Sequence, residues 1–516
     1  MSAYFFQVRC LASDHLLSDE RLQLNAAECL HTIVDWKVGK MTDRMQLLVL
    51  FKRDMIEPIY KAVVSAEQKS LQEDHYKFLK KMVQTLVELG SQLCAIWSSK
   101  ESEKTKEQIR PDNFDTYLDA LLYFSQHPSI VVNWYANNLW AQFCRHPDIS
   151  KDQTFSTYLP KWTEVAAKKV VKIGLPSQEN HPACAYSKLD FDNDEEFNSY
   201  FGRCRIILLD TIRAVSNLNP VIPYQYVDQW LKTVLSKPLD YGPQGICNES
   251  SPAYLELIAI PSVLDACLTS KGTSFNDDLK SILAPAVELL KICLDYQSSE
   301  PLIISTLLSC ISSLFVVVGV TPGALMPTLN KIFSCITFGS NTEMASGNLS
   351  TNMSKDVKSL RRHGCALLVK IGQRHPSSLL GAFDHLRSTI VEQLHQRQRA
   401  LQRMEYVTLI EALVLVSNEH SNFDIQAQFL ESVSAPVCNQ LRSLETVISN
   451  AMAFINYIGI DCDNINIDKS SANRGELAFC IQVSIKLINI GTLFVGGKVE
   501  KRYHKHSKCF FSFSFY

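Results

Sequence analysis

The stretch C-A-Y-S-K-L-D-F-D-N-D-E-E-F-N-S-Y-F, Cys184 to Phe201, sets five carboxylates (Asp190, Asp192, Asp194, Glu195 and Glu196) among the aromatic residues Phe191, Phe197, Tyr200 and Phe201. Its spacing is that of a helix start. Asn193 followed by Glu196 is a capping-box pattern, in which a short polar side chain covers free amides and a glutamate reaches back. Asp194 and Glu195 add negative charge at the positive end of the helix dipole. Phe197, Phe201, Cys204, Leu208, Ile212 and Val215 then recur every three or four residues, which gives a long helix one apolar face. Asp190, Asp192 and Asp194 imitate the first ligands of a calcium loop. Glu195 stands where that loop needs its turn glycine and Phe201 where it needs its bidentate glutamate, so calcium is rejected. Asp190 and Asp192 remain as candidate partner-binding carboxylates.

The same periodicity runs outward in both directions. Leu22, Ala26, Cys29, Leu30 and Ile33 form one stripe, and Tyr76, Leu79, Val83, Leu86, Val87 and Leu93 another. Leu118, Leu121 and Leu122 precede Leu139, Trp140 and Phe143. Further stripes follow to Ile458, while strand-like alternation is scarce. The pairs His127-Pro128, His146-Pro147 and His375-Pro376 fall where stripes stop, and are read as helix-to-helix turns that bind nothing. Helices paired across short loops recur about every 40 residues, the HEAT and armadillo length class. The expected fold is all-α: a right-handed α-solenoid of HEAT-like, armadillo-type helical hairpins. We expect repeats over residues 1–175, an acidic and aromatic linker over 176–193, repeats over 194–460, and a divergent, poorly ordered tail over 461–516. Loops at Ser236–Ser251 and Gly339–Ser354 interrupt the stacking.

The 516 residues are 46% hydrophobic, enough for a large core, and 51 basic against 53 acidic residues leave a formal charge of −2. Nucleic acid or membrane would therefore have to be held by a local patch. The sixteen cysteines, scattered through helical pattern without a CxxC pair, read as reduced thiols of an intracellular protein, and the first residues lack a basic region followed by a long apolar core, so no secretory signal is expected there. The apolar span Leu477–Val495 contains Gln482, Lys486 and Asn489; a central lysine costs about 2.5–3.5 kcal/mol on insertion, so no membrane anchor is expected. No Walker, dinucleotide-binding, nucleophile-elbow or zincin motif occurs, so no enzyme, cofactor or metal is expected; His504, His506 and Cys509 are one ligand short of a zinc site.

Basic charge gathers in M-S-K-D-V-K-S-L-R-R-H-G-C-A-L-L-V-K-I. Lys355, Lys358, Arg361 and Arg362 are placed there on one helix side as candidate RNA or partner contacts. Arg399 and Arg403 share a second face, with Arg397 pointing elsewhere. Most basic runs are solvated faces, but a ridge on a solenoid can neutralise backbone phosphates without reading sequence.

The segments LQLNAAECL, DRMQLLVLF, HYKFLKKMVQTLVELGSQLCA, YSKLDFDNDEEFNSYF, LRRHGCALLVKI and MEYVTLIEALVLVSNEHSNF, in this order, resemble the exportin-5 family of importin-β-like karyopherins over Leu16 to Gly459. The match is to the central portion of such a receptor; the tail after Asp461 matches nothing in it. The resemblance implies a HEAT-repeat nuclear export receptor that shuttles between nucleus and cytoplasm. Its implied partners are Ran with GTP, here through an incomplete site, structured double-stranded RNA such as pre-microRNA, tRNA, RNA-bound proteins and nuclear pore proteins. The alternative is an α-solenoid scaffold that binds only proteins.

Overall fold

The computed structural model describes residues 14–35, 45–67, 71–97, 110–243, 245–268, 280–321, 323–339, 354–390, 401–460 and 467–493. Among them there are helices and no strands. The chain forms two compact units, residues 1–289 and 290–516. The fold of the described residues is all-α, built from stacked helical hairpins.

In the first unit the main helices are α1 (Gln23–Asp35), α2 (Arg53–Glu67), α3 (Glu73–Trp97), α4 (Phe114–Gln126), α5 (Ile130–Arg145), α6 (Gln153–Lys169), α7 (Pro182–Asp190), α8 (Asp194–Leu218), α9 (Val221–Leu235) and α10 (Ile260–Leu268). Helices α1, α3, α5, α8 and α10 pack side by side in one layer, and α2, α4, α6 and α9 in a second. Each of α2, α4, α6 and α9 also packs on its partner in the other layer, which is the hairpin stacking of HEAT repeats. The short α7 lies inside the stretch expected as a linker, and it packs on α5.

Large rings fill the seam between layers. Trp140 stacks on Phe155 and Trp162 at 5.5 and 6.0 Å between centroids. Both buried indoles keep a partner: Trp140 Nε1 donates to Ser125 Oγ at 3.1 Å, and Trp162 Nε1 to Asn137 Oδ1 at 3.0 Å. At Gly90 of α3 a Cβ would stand 2.4 Å from both Tyr117 Oη and Leu139 Cδ2, so only glycine lets α4 and α5 close on α3. The stripe on α1 departs from expectation. Its buried face is Gln23, Ala26, Ala27, Leu30 and Val34, while Leu22 and Cys29 are exposed, because the face turned to α3 is rotated by about one residue.

The histidine–proline turns fall at helix ends, with a device the spacing did not reveal. His127 and His146 follow the last residues of α4 and α5. His127 Nδ1 accepts the Ser129 amide at 3.0 Å, and His146 Nδ1 accepts the amides of Asp148 and Ile149. A further pair, His181-Pro182, opens α7, where His181 Nδ1 accepts from Ala183 N at 3.0 Å. The ring nitrogen does what an Asn or Ser oxygen does at an N-cap, and only the neutral ring has that lone pair. His375 also ends a helix, its ring against Phe315.

The second unit contains α11 (Pro301–Val318), α12 (Leu325–Ile336), α13 (Lys355–Arg374), α14 (Arg403–Ser417), α15 (Phe423–Ser443) and α16 (Ile467–Leu493). Here α11, α13, α14 and α16 form a layer, with α12 against α13 and α15 against α16. Helix α11 is long and apolar enough to cross a membrane, at a mean hydropathy of 2.3, and most of it is buried against its neighbours. Helix α16 falls in the segment expected to be poorly ordered. It buries Cys480, Val483 and Leu487 and pairs Lys486 with Glu411 at 2.6 Å, so the lysine that argued against a membrane is part of the packing. His504, His506 and Cys509 lie outside the described residues, as do Arg397, Arg399 and nearly all of the Gly339–Ser354 loop. Among the described residues no three His, Cys, Asp or Glu side chains gather into a metal-holding group.

Candidate nucleic-acid interface

Helix α13 begins at an N-cap, Ser354, whose side chain accepts the Val357 amide at 3.3 Å. From there Lys355, Lys358, Ser359 and Arg362 line an open depression on the second unit. Lys355 and Lys358 at the start of the helix and Arg362 a turn further on outnumber Asp356 of the first turn and give a local positive field that a chain of net charge −2 lacks as a whole.

Arg361 does not belong to this ridge, although the sequence pattern put it there. It is 2% exposed, and its Nε and Nη2 donate to Glu405 Oε1 and Oε2 at 3.0 and 2.8 Å, a bidentate pair closed off from water. Glu405 Oε2 also accepts the Gln402 amide at 2.8 Å, which makes the carboxylate part of the capping box of α14. One residue further along a helix turns the side chain by about 100°, enough to carry Arg362 to solvent and Arg361 into the α13–α14 seam. Arg403 is exposed at the start of α14 with its guanidinium over Gly475 of α16, where a Cβ would be 2.8 Å from Nη1. It is thus placed on the α14–α16 contact.

The two acidic candidates also part. Asp190 is 3% exposed in its side chain, ion-paired to Lys80 and hydrogen-bonded by the Tyr76 hydroxyl, which in turn lies 2.7 Å from Ser129 Oγ. Burial, then Asp190, pushes the Tyr76 phenol well above its ordinary pKa. Asp190 therefore ties α7 to α3, a packing role. Asp192 is exposed at the entry to α8. There Asn193 Oδ1 accepts the Glu196 amide at 2.9 Å as the spacing predicts, but Glu196 reaches back to the amide of Asp192, at 3.0 Å, and Asp194 bonds Ser177 through N and Oγ. The rings of Phe191, Phe197 and Phe201 form a cluster beneath. All six apolar positions predicted along α8, Phe197 to Val215, are buried.

The family model for the exportin-5 family matches residues 73–492. The chain belongs to the exportin-5 family. It is 34% identical to exportin-5 of Mus musculus over 482 residues and to exportin-5 of Homo sapiens over 491, which is 90% and 92% of this chain and 39% of each relative. Exportin-5 of Dictyostelium discoideum is 24% identical over 418 residues, 78% of this chain and 35% of that one. The chain thus spans about two fifths of the exportin-5 relatives it matches. The family match runs past Asp461 to residue 492 and so includes α16, where the quoted motifs had shown no resemblance.

Proposed function

We propose that this chain acts as a nuclear export receptor of exportin-5 type, or as the central section of one, that shuttles between nucleus and cytoplasm and carries structured double-stranded RNA together with Ran in its GTP state. Pre-microRNA hairpins and tRNA are the cargo chemistry in view, and nuclear pore proteins and RNA-bound proteins the further partners. Hairpin stacking, which offers extended surfaces rather than enclosed pockets, supports a binding rather than a catalytic role.

The observation that carries the RNA part is the solvent-open group Lys355, Lys358 and Arg362 at the start of α13. A-form duplexes are held through shape, phosphates and 2′-hydroxyls, and three such cations meet phosphates without reading bases. The test is duplex RNA affinity of the full chain by fluorescence anisotropy across a salt series. Changing Lys355, Lys358 and Arg362 together to Ala is expected to lower the slope of log K on log salt by about three, roughly one per cation. No duplex binding, or an unchanged slope, would refute the RNA assignment and favour a scaffold that binds proteins alone.

A further inference from the structure

On α8, the residues Gly202, Arg205, Ile206 and Leu209 follow at spacings of three, one and three and so share one side of the helix. Three features of that side are unexplained by the fold. Gly202 is in mid-helix and exposed, and a Cβ built on it would meet nothing within 4 Å; glycine there weakens the helix by about 1 kcal/mol relative to alanine with no packing reason. Ile206, one turn on, is 62% exposed. Arg205 is half-buried against α10, donates from Nη2 to Ser262 Oγ at 2.9 Å, and has a buried Nε without a partner. No carboxylate among the described residues pairs with it, and burial alone lowers its pKa.

We propose that this side of α8 is a docking surface for a helical protein segment carrying a carboxylate flanked by aliphatic side chains. The carboxylate supplies the charge that Arg205 lacks, in a setting where partial desolvation strengthens the pair. The aliphatic neighbours cover Ile206 and Leu209, and the missing side chain at 202 lets the partner's backbone come closer than the usual 8–10 Å between helix axes. Arginine is among the residue types enriched in interface hot spots. Nucleic acid fits this surface poorly: Arg205 is the one cation among Gly202, Arg205, Ile206 and Leu209, whereas a phosphate backbone is held by a row of cations. The surface is on the first unit, away in sequence from the cations of α13, so it stands or falls independently of the RNA assignment.

The probe is a phage-displayed library of helical peptides of about 16 residues, roughly four turns, panned against the full chain with Gly202→Trp as counter-selection. Peptides enriched on the unaltered chain are expected to carry Asp or Glu between Leu or Ile residues. Their affinity should fall about tenfold on Arg205→Gln, on Ile206→Ser, and when the peptide's own carboxylate becomes an amide, the last change leaving the protein untouched. Melting curves check that the protein variants are folded. Absence of enrichment over the Gly202→Trp control, binders without an acidic residue, or a peptide amide that binds equally well overturns the proposal. So does a duplex RNA whose affinity falls with Arg205→Gln, which would give the surface to nucleic acid.

Discussion

Replacing His127 by Asn should remove a pH dependence from the first unit without removing the hydrogen bond behind it. The ring is 1% exposed, accepts the Ser129 amide through Nδ1, packs edge-on against Tyr186, and has the Lys169 ammonium on its own carbonyl at 2.7 Å. Burial first, and the Lys169 charge second, push its pKa down to about 3. In the unfolded chain it titrates near its ordinary value, about 6.5. The folded pKa is depressed, so the unfolded state binds the proton more readily. Stability is therefore complete above about pH 6.5 and falls as the pH drops from there toward 3. Between pH 7.5 and pH 5 the loss from this one group is about 2 kcal/mol, from 1.36 kcal/mol per unit over roughly 1.5 units. An Asn at 127 can accept the same amide in an Asx turn and carries no titrating group. The assay is urea unfolding followed by tryptophan fluorescence at the two pH values. All six tryptophans lie in residues 1–289, so the signal reports the first unit. His127→Asn should start less stable at pH 7.5, from lost packing, and should lose about 2 kcal/mol less than the unaltered chain on going to pH 5. Parallel losses in the two proteins would refute the claim that a neutral, buried His127 holds this turn.

Arg361→Ala should destabilise the second unit by about 3–5 kcal/mol, since it strands the Glu405 carboxylate in the α13–α14 seam, whereas Arg362→Ala should change stability by under about 0.5 kcal/mol; thermal melts by circular dichroism separate the two. Arg361→Met with Glu405→Leu should recover most of the loss, because a packed apolar pair replaces a desolvated ionic one. Gly90→Ala should cost about 1–3 kcal/mol through overpacking against Tyr117 and Leu139, read by the same tryptophan-monitored unfolding. Asn193→Ala should cost about 1 kcal/mol by uncapping α8, against no measurable change for Asp192→Ala, with faster amide exchange at Glu196 as the local readout.

The fold was legible because helix-period patterning is redundant: along α8 six positions agree, and no single residue has to be read correctly. The N-cap at Asn193 was legible for a similar reason, being a local pattern tied to four consecutive residues. What escaped were facts fixed by a second helix. Asp190 looks like a free carboxylate until Lys80 and Tyr76, more than a hundred positions earlier, are brought to it. The face of α1 was misplaced by a residue because Leu22 and Cys29 are as apolar as the Ala26 and Ala27 that α3 selects. The chain past Asp461 shows no motif, yet α16 supplies the apolar residues and the lysine that complete the α14 surface.

Arg361 and Arg362 make the same point about function. Both are arginines on one helix, adjacent and flanked by the same lysines, and local pattern cannot tell them apart. The deciding residue is Glu405, forty-four positions on, which itself reads as an ordinary capping glutamate of α14. A glutamate that caps its own helix and also accepts a bidentate arginine couples the start of one hairpin to the middle of the preceding one, so loss of either charge would loosen the cap and the seam together. The consequence for the interface is quantitative. With three cations rather than four at the start of α13, the proposed RNA contact has an expected salt slope of about three, and Arg361→Ala, where it reduces RNA affinity, should do so together with a lowered melting temperature, while Arg362→Ala should reduce affinity alone.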